Sequence, residues 1–222
     1  MSMGRIKLFS TILLLLGAGS LSGFLLWKEE FRYSLPTPVP EDYDPQPVGA
    51  CINLPEAPSL YSGEQPVFLH FFNPDCPCSR FNLKHFHEIH KKYRTEAHFQ
   101  VIIPANAPIA KARALLDESI PIVVDHNKRW AQSAGVFATP QAVVLEPGGR
   151  LFYRGNYNKA RFCTIPGSNF GEISLKMLLE GHPAPTWGPL ATTSYGCELD
   201  NPKSDELVNF FKKMTNPNLS MK

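Results

Sequence analysis

Five cysteines, Cys51, Cys76, Cys78, Cys163 and Cys197, are the residues of this chain best suited to chemistry. Two of them stand one residue apart in Asn73-Pro74-Asp75-Cys76-Pro77-Cys78-Ser79, directly after the apolar run Val67-Phe68-Leu69-His70-Phe71-Phe72. That run has the length and composition of a strand buried on both faces, and Pro66 and Asn73-Pro74 bound it. The residues that follow, from about 78 to 93, read as a helix. The first turn of a helix carries unpaired N–H groups and the positive end of the macrodipole, so a thiol there ionises more readily. The thiolate is the form that attacks disulfides or binds soft metals. Cys76 is therefore the candidate nucleophile, and Cys78 reads as resolving thiol, metal ligand or bystander. An odd number of cysteines leaves at least one outside any intramolecular disulfide.

Two further groupings compete for attention. His85, His87 and His90 lie on the same helix, with His87 and His90 spaced to share a face. Lys84, Lys91 and Lys92 are interleaved with them, and the charge pattern reads as a solvated basic surface rather than a metal site. Cys76 and Cys78, with a histidine, would suit Cu(I), which makes a copper-handling protein the rival from a different class. No resident metal and no cofactor are expected, since sulfur alone carries the exchange chemistry.

The positioning elements begin at the N-terminus. Residues 8–27 contain no charged side chain and include four consecutive leucines. As a helix they would span about 30 Å, the thickness of a bilayer's hydrocarbon core. Arg5 and Lys7 precede the stretch, so the positive-inside bias leaves the short N-terminus in the cytoplasm and exports the rest. Gly17-Ala18-Gly19-Ser20 offers a signal-peptide cleavage site, but the apolar run continues through Phe24-Leu25-Leu26, which favours an uncleaved anchor. The formal net charge of +2 gives no field for nucleic acid.

The expected organisation is a cytoplasmic terminus (1–7), an anchor (8–27), a proline-rich spacer (28–50), a folded domain (51–182) and an extension (183–222). The spacer carries Pro36, Pro38, Pro40, Pro45 and Pro47 and would hold the domain off the membrane. Within the domain, Leu83, Phe86, Ile89 and Tyr93 form the apolar stripe of the first helix. A strand is expected over 98–103, a helix capped by Asn106, a strand over 121–125 and a short helix over 128–135. A hairpin follows, turning at Pro147-Gly148-Gly149, then a helix opened by Asn169 with Glu172 as a capping box and stopped at Gly181. The tail around Tyr195-Gly196-Cys197 reads as irregular and flexible, and a last amphipathic helix is expected from Ser204.

This order of elements resembles the thioredoxin fold, an α/β architecture with a central mixed sheet flanked by helices. Phe71-Phe72-Asn73-Pro74-Asp75-Cys76-Pro77-Cys78, Val123-Val124-Asp125 and Gly135-Val136-Phe137-Ala138-Thr139-Pro140 carry the resemblance. The sequence is similar to membrane-anchored thioredoxin-like and redoxin proteins of bacteria. The resemblance implies a single-pass protein of the inner membrane with its soluble domain in the periplasm, exchanging with protein or small-molecule thiols and disulfides. It also implies a cis proline at Pro140, with Thr139-Pro140 holding an extended substrate beside Cys76. His70 falls where thioredoxins carry a buried carboxylate that helps proton transfer, and a histidine is suited to that role near neutrality.

The motif departs from the family at one point, because Ser79 stands where thioredoxins have the resolving cysteine. Cys78 could resolve Cys76 only through a small strained ring. Cys197 is the favoured resolving candidate, and a structural Cys163–Cys197 disulfide is its competitor. A peroxidase reading would need Pro-x-x-x-Thr-x-x-Cys. The matching positions hold Leu69 and Asn73 counted from Cys76, or Phe71 and Asp75 counted from Cys78, and neither pair fits.

Overall fold

The computed structural model describes residues 3–29, 35–54, 63–160 and 163–199. The helix expected from Ser204 lies outside them. The chain divides into two compact units, with the boundary in sequence between Pro36 and Thr37. The first contains α1 (Met3–Glu29), in which Gly4–Trp27 is long and apolar enough to cross a membrane.

The second unit is built on a five-stranded mixed sheet. Its strands are β1 (Val67–Phe71), β2 (His98–Pro104), β3 (Ile122–Asp125), β5 (Gln141–Leu145) and β6 (Leu151–Gly155), in the order β3-β2-β1-β5-β6. β1 is central, parallel to β2 and antiparallel to β5. Every residue of β1 is buried, as a run apolar on both faces requires. Alternate side chains enter opposite cores. Phe68 joins Phe86, Ile89 and Leu175 on one face of the sheet, and Leu69 and Phe71 join Trp130 and Leu145 on the other. Each such side chain contributes about 1.5–3 kcal/mol by leaving water. This is the thioredoxin-like architecture that the order of elements implied.

Three helices cover the sheet: α2 (Pro77–Tyr93), α4 (Arg129–Ala134) and α5 (Phe170–Leu179), with α3 (Ile109–Leu115) a short connector. Phe86, Ile89 and Tyr93 of the predicted stripe are buried, and Leu83 packs at its edge. Three local expectations need correcting. α3 begins after Pro108, not at an Asn106 cap, because the chain from Pro104 first makes a turn closed by the Ala107 N–H on the Pro104 carbonyl. Asn169 takes the N-cap position of α5 as expected, but it makes no capping-box hydrogen bond to the backbone; its side-chain oxygen accepts from Asn158 at 2.6 Å instead. His85 and His90 are buried rather than solvated, because α2 turns His90 onto the Phe99 ring and His85 toward the Tyr157 ring.

Within the second unit, the described flanking residues 37–50 and 183–199 lie on the domain. Between Thr37 and Ala50 the proline-rich stretch is tied down by Tyr43 Oη donating to the Gly135 carbonyl (3.1 Å) and by Arg154 donating to the Gln46 carbonyl (3.0 Å). The tail beyond Gly181 runs through α6 (Pro189–Thr192) and is held by Asn156. Its side-chain amide donates to the carbonyls of Leu190 and Thr193, and its backbone N–H donates to that of Ala191. Trp187 stacks edge-on against Phe170 with ring centroids 4.9 Å apart. Side-chain-to-backbone bonds of this kind have no periodicity, which is why the tail reads as irregular in sequence.

Candidate active site

Cys76 is the residue on which α2 starts. It takes the N-cap position with extended backbone (φ −80°, ψ 121°), and Pro77 fills the first helical turn, where its missing N–H costs nothing. Leading into it is a tight turn. The Cys76 N–H bonds the Asn73 carbonyl at 3.0 Å, and the Asn73 side chain accepts from the Asp75 N–H at 2.9 Å. Ser79, at the position where thioredoxins have their second cysteine, is fully buried and its hydroxyl accepts from the Asn73 N–H at 3.3 Å. It braces the loop. Asp75 beside the thiol is paired with Lys111 at 2.5 Å, which offsets a carboxylate that would otherwise oppose a thiolate.

The sulfur of Cys76 is joined to Cys197, 121 residues away, with Cα atoms 6.0 Å apart. Of the pairings open in the sequence, this is the one formed. Cys78 faces the interior on the inner side of α2 and stays outside the disulfide, so Cys-Pro-Cys is not a disulfide ring here. Cys163 donates to the Asn82 side-chain oxygen at 2.8 Å, and burial pushes its thiol up to about 12. Cys163 therefore tethers a loop to α2 instead of holding the tail. Reduction would return Cys76 as a thiol two residues from Cys78, the pair a soft metal would need; in the disulfide state the Cys76 sulfur is not a thiolate ligand. Among the described residues no three His, Cys, Asp or Glu side chains converge as a metal site.

Opposite Cys76 stands the Thr139-Pro140 bond, and it is cis. The Thr139 carbonyl oxygen lies 3.5 Å from the Cys76 sulfur. Thr139 belongs to β4 (Ala138–Thr139), and β4 pairs antiparallel with β7 (Cys197–Glu198), Thr139 opposite Cys197. The edge that would hold a substrate backbone is thus occupied by the chain's own tail.

Five features seat the tail there. The Thr37 N–H donates to the Ser194 carbonyl at 2.8 Å, and the Leu199 N–H to the Phe137 carbonyl at 3.1 Å. The Thr37 hydroxyl reaches the Gly196 carbonyl at 3.4 Å. Gln141 donates to the Ser194 hydroxyl. Gly196 sits at φ +146°, where a Cβ would collide with the Thr139 carbonyl, so only glycine fits before Cys197.

His70 lies on β1, fully buried, stacked on Phe86 with centroids 4.1 Å apart. Its Nδ1 shares a 2.6 Å hydrogen bond with the Tyr157 hydroxyl, and its Nε2 has no partner among the described residues. Burial first, then the nearby His87, lowers its pKa to about 3. A ring that is neutral throughout the physiological range is poorly matched to holding a proton for exchange near neutrality. Burial likewise drives the Tyr157 hydroxyl well above its ordinary value.

The sequence did not point to Tyr157, Thr37 or Ser194, and it marked Ser79 only as the residue standing in place of a cysteine and Gly196 only as part of an irregular tail. A glycine immediately before a cysteine in an otherwise irregular tail was the one available sign of a close backbone approach.

The family described as a domain of unknown function, DUF6436, matches residues 50–198. No curated protein matches the chain. A solved hypothetical protein from Sinorhizobium meliloti is 16% identical, covers 71% of this chain and 96% of its own, and superimposes with a TM-score of 0.58. An uncharacterised conserved protein from Geobacillus kaustophilus is 18% identical, with 74% and 98% covered and a TM-score of 0.57. A thioredoxin-family thiol:disulfide interchange protein from Chlorobium tepidum is 16% identical over 61% and 99%, at a TM-score of 0.44.

Proposed function

We propose that this chain, which belongs to the DUF6436 family, is a membrane-anchored thiol–disulfide oxidoreductase acting on the far side of the bacterial inner membrane. Its substrates are disulfides of proteins or small molecules, and its redox pair is Cys76 with Cys197. The observation that carries the reading is the Cys76–Cys197 disulfide at the start of α2, set against the cis Thr139-Pro140 bond.

The chemistry follows from the positions. In the reduced protein Cys76 is favoured as thiolate by the first-turn amides of α2. It attacks a substrate disulfide R–S–S–R′, forming Cys76–S–S–R and releasing R′S⁻. Cys197 then attacks the Cys76 sulfur, the bond to R breaks, RS⁻ departs, and the Cys76–Cys197 disulfide remains. The substrate gains two electrons and the protein loses two. Thr139 supplies the backbone edge for the substrate in the interval when the tail is away. Cys78 lines the buried side of the site, and His70 with Tyr157 shapes the core behind it as a neutral pair.

The N-terminal helix supplies the anchor in this reading, with its positive flank inside the cell. A Cu(I) protein would need Cys76 and Cys78 together as thiolates, and no specific feature of the disulfide state favours it.

The test is exchange with a model protein disulfide by the full-length chain in detergent. Cys76→Ser should lose activity by about 100-fold or more, since the nucleophile itself is gone. Retention of wild-type turnover by Cys76→Ser would end the proposal.

A further inference from the structure

The disulfide is markedly unequal in access. Cys76 is 2% exposed, enclosed by the Thr139 carbonyl, the Asn73–Asp75 turn and the tail strand. Cys197 is only partly buried and lies on a two-residue strand. A cleft of about 420 Å³ opens beside that strand. Glu198 and Leu199, the two residues after Cys197, form one wall, and Tyr43, Lys128 and Phe137 contribute to the others.

The two sulfurs are also unequal as leaving groups. Cys76 is the N-cap of a 17-residue helix, and in the disulfide its side chain makes no capping hydrogen bond. A thiolate formed on Cys76 therefore develops at the positive end of the α2 dipole. Cys197 sits within β7 and is not itself the first residue of a helix, so it feels the α2 terminus only as a neighbour. Exchange is faster when the leaving thiol has the lower pKa and when the attacked sulfur is accessible. Both criteria select the same sulfur.

Resting on the exchange reading above, we propose that the oxidised protein is re-reduced by attack at Cys197, so that substrate and electron donor meet different sulfurs. The donor is a dithiol of the exported compartment or of the membrane that reaches the cleft side of the tail. One donor thiol loses its proton to solvent and its thiolate attacks the Cys197 sulfur. The Cys76–Cys197 bond breaks, a donor–Cys197 disulfide forms, and the electron pair leaves on Cys76 as its thiolate. The second donor thiolate then attacks the donor's own sulfur in that mixed disulfide. Cys197 departs as thiolate and takes up a proton, and the donor ends as a disulfide. Two electrons have passed to the protein. With the cross-link gone, the tail no longer blocks Thr139 covalently, and a substrate disulfide has access to Cys76.

The experiment uses the oxidised full-length protein in detergent and a single-cysteine peptide as the probe thiol. Aliquots taken at early times are quenched in acid, alkylated and mapped by mass spectrometry. The expected product carries the peptide on Cys197 and the alkyl label on Cys76, in about tenfold excess over the reverse arrangement at the earliest times. Peptide found first on Cys76 overturns this assignment while leaving the exchange function standing. A Cys76–Cys197 disulfide that no thiol opens, in a protein shown by mapping to contain it, overturns both.

Discussion

At the residue scale, His70 is the clearest case of a side chain whose surroundings decide its chemistry. Six residues before Cys76, its type and position invite a proton-transfer role, and only the fold reveals that it is enclosed by Phe72, Phe86 and Tyr157. Its folded pKa of about 3 lies below the ordinary 6.5, so between those values the unfolded chain binds a proton that the folded chain does not. Stability therefore rises with pH across that window, is complete above about 6.5, and is lost as pH falls from there toward 3. His85 and His90 are shifted in the same direction by burial and add to the trend. Urea denaturation of the oxidised protein should show stability falling from pH 7 to pH 5, at up to about 1.4 kcal/mol per unit for a single such group. His70→Asn, whose amide oxygen replaces the Nδ1 acceptor for Tyr157, should have a flatter profile over that range. An equally steep profile in the variant would show that His70 titrates little differently in the two states.

At the element scale, the junctions matter more than the elements they join. β1 and α2 were legible because a doubly buried strand and a helix stripe repeat, and repetition survives in a single sequence. The turn between them, which sets Cys76 at the N-cap, is closed by Asn73 and tied to α2 by one Asn73–Ser79 hydrogen bond across six residues. The same holds for β4 and β7, each two residues long and too short for any periodic signal. Their pairing depends on Gly196, where any side chain meets the Thr139 carbonyl in a backbone conformation that suits glycine. Gly196→Val should weaken the pairing by about 1–3 kcal/mol through strain at that site. In a redox titration against a dithiol buffer, its Cys76–Cys197 disulfide should then be reduced under milder conditions than that of the wild type. An unchanged midpoint would mean that the tail is held by the sulfur link alone.

Across the whole molecule, the disulfide is both the site and a covalent tie between distant parts of the domain. It closes a separation of 121 residues, and a loop of that size stabilises the folded state by up to roughly 5 kcal/mol through the entropy removed from the unfolded chain. Dithiothreitol, or Cys197→Ser, should accordingly lower the urea midpoint of the full-length protein without abolishing cooperative unfolding, since both sheet cores draw almost all of their buried side chains from residues before Gly181. Loss of the transition altogether would mean that the tail completes the core. The sequence by itself determined the apolar N-terminal helix, the central strand, the helix that follows Cys76, the hairpin and the thioredoxin-like order, because each is written in local periodicity and turn chemistry. It also named Cys197 as a partner for Cys76 while leaving Cys78 and Cys163 as competitors for the pairings. Only the tertiary structure chose between them. Which cysteine reaches Cys76 depends on where a non-periodic tail is seated by Thr37, Asn156, Gln141 and Thr139, and contacts between residues so far apart in the chain leave no mark on the spacing of any one segment.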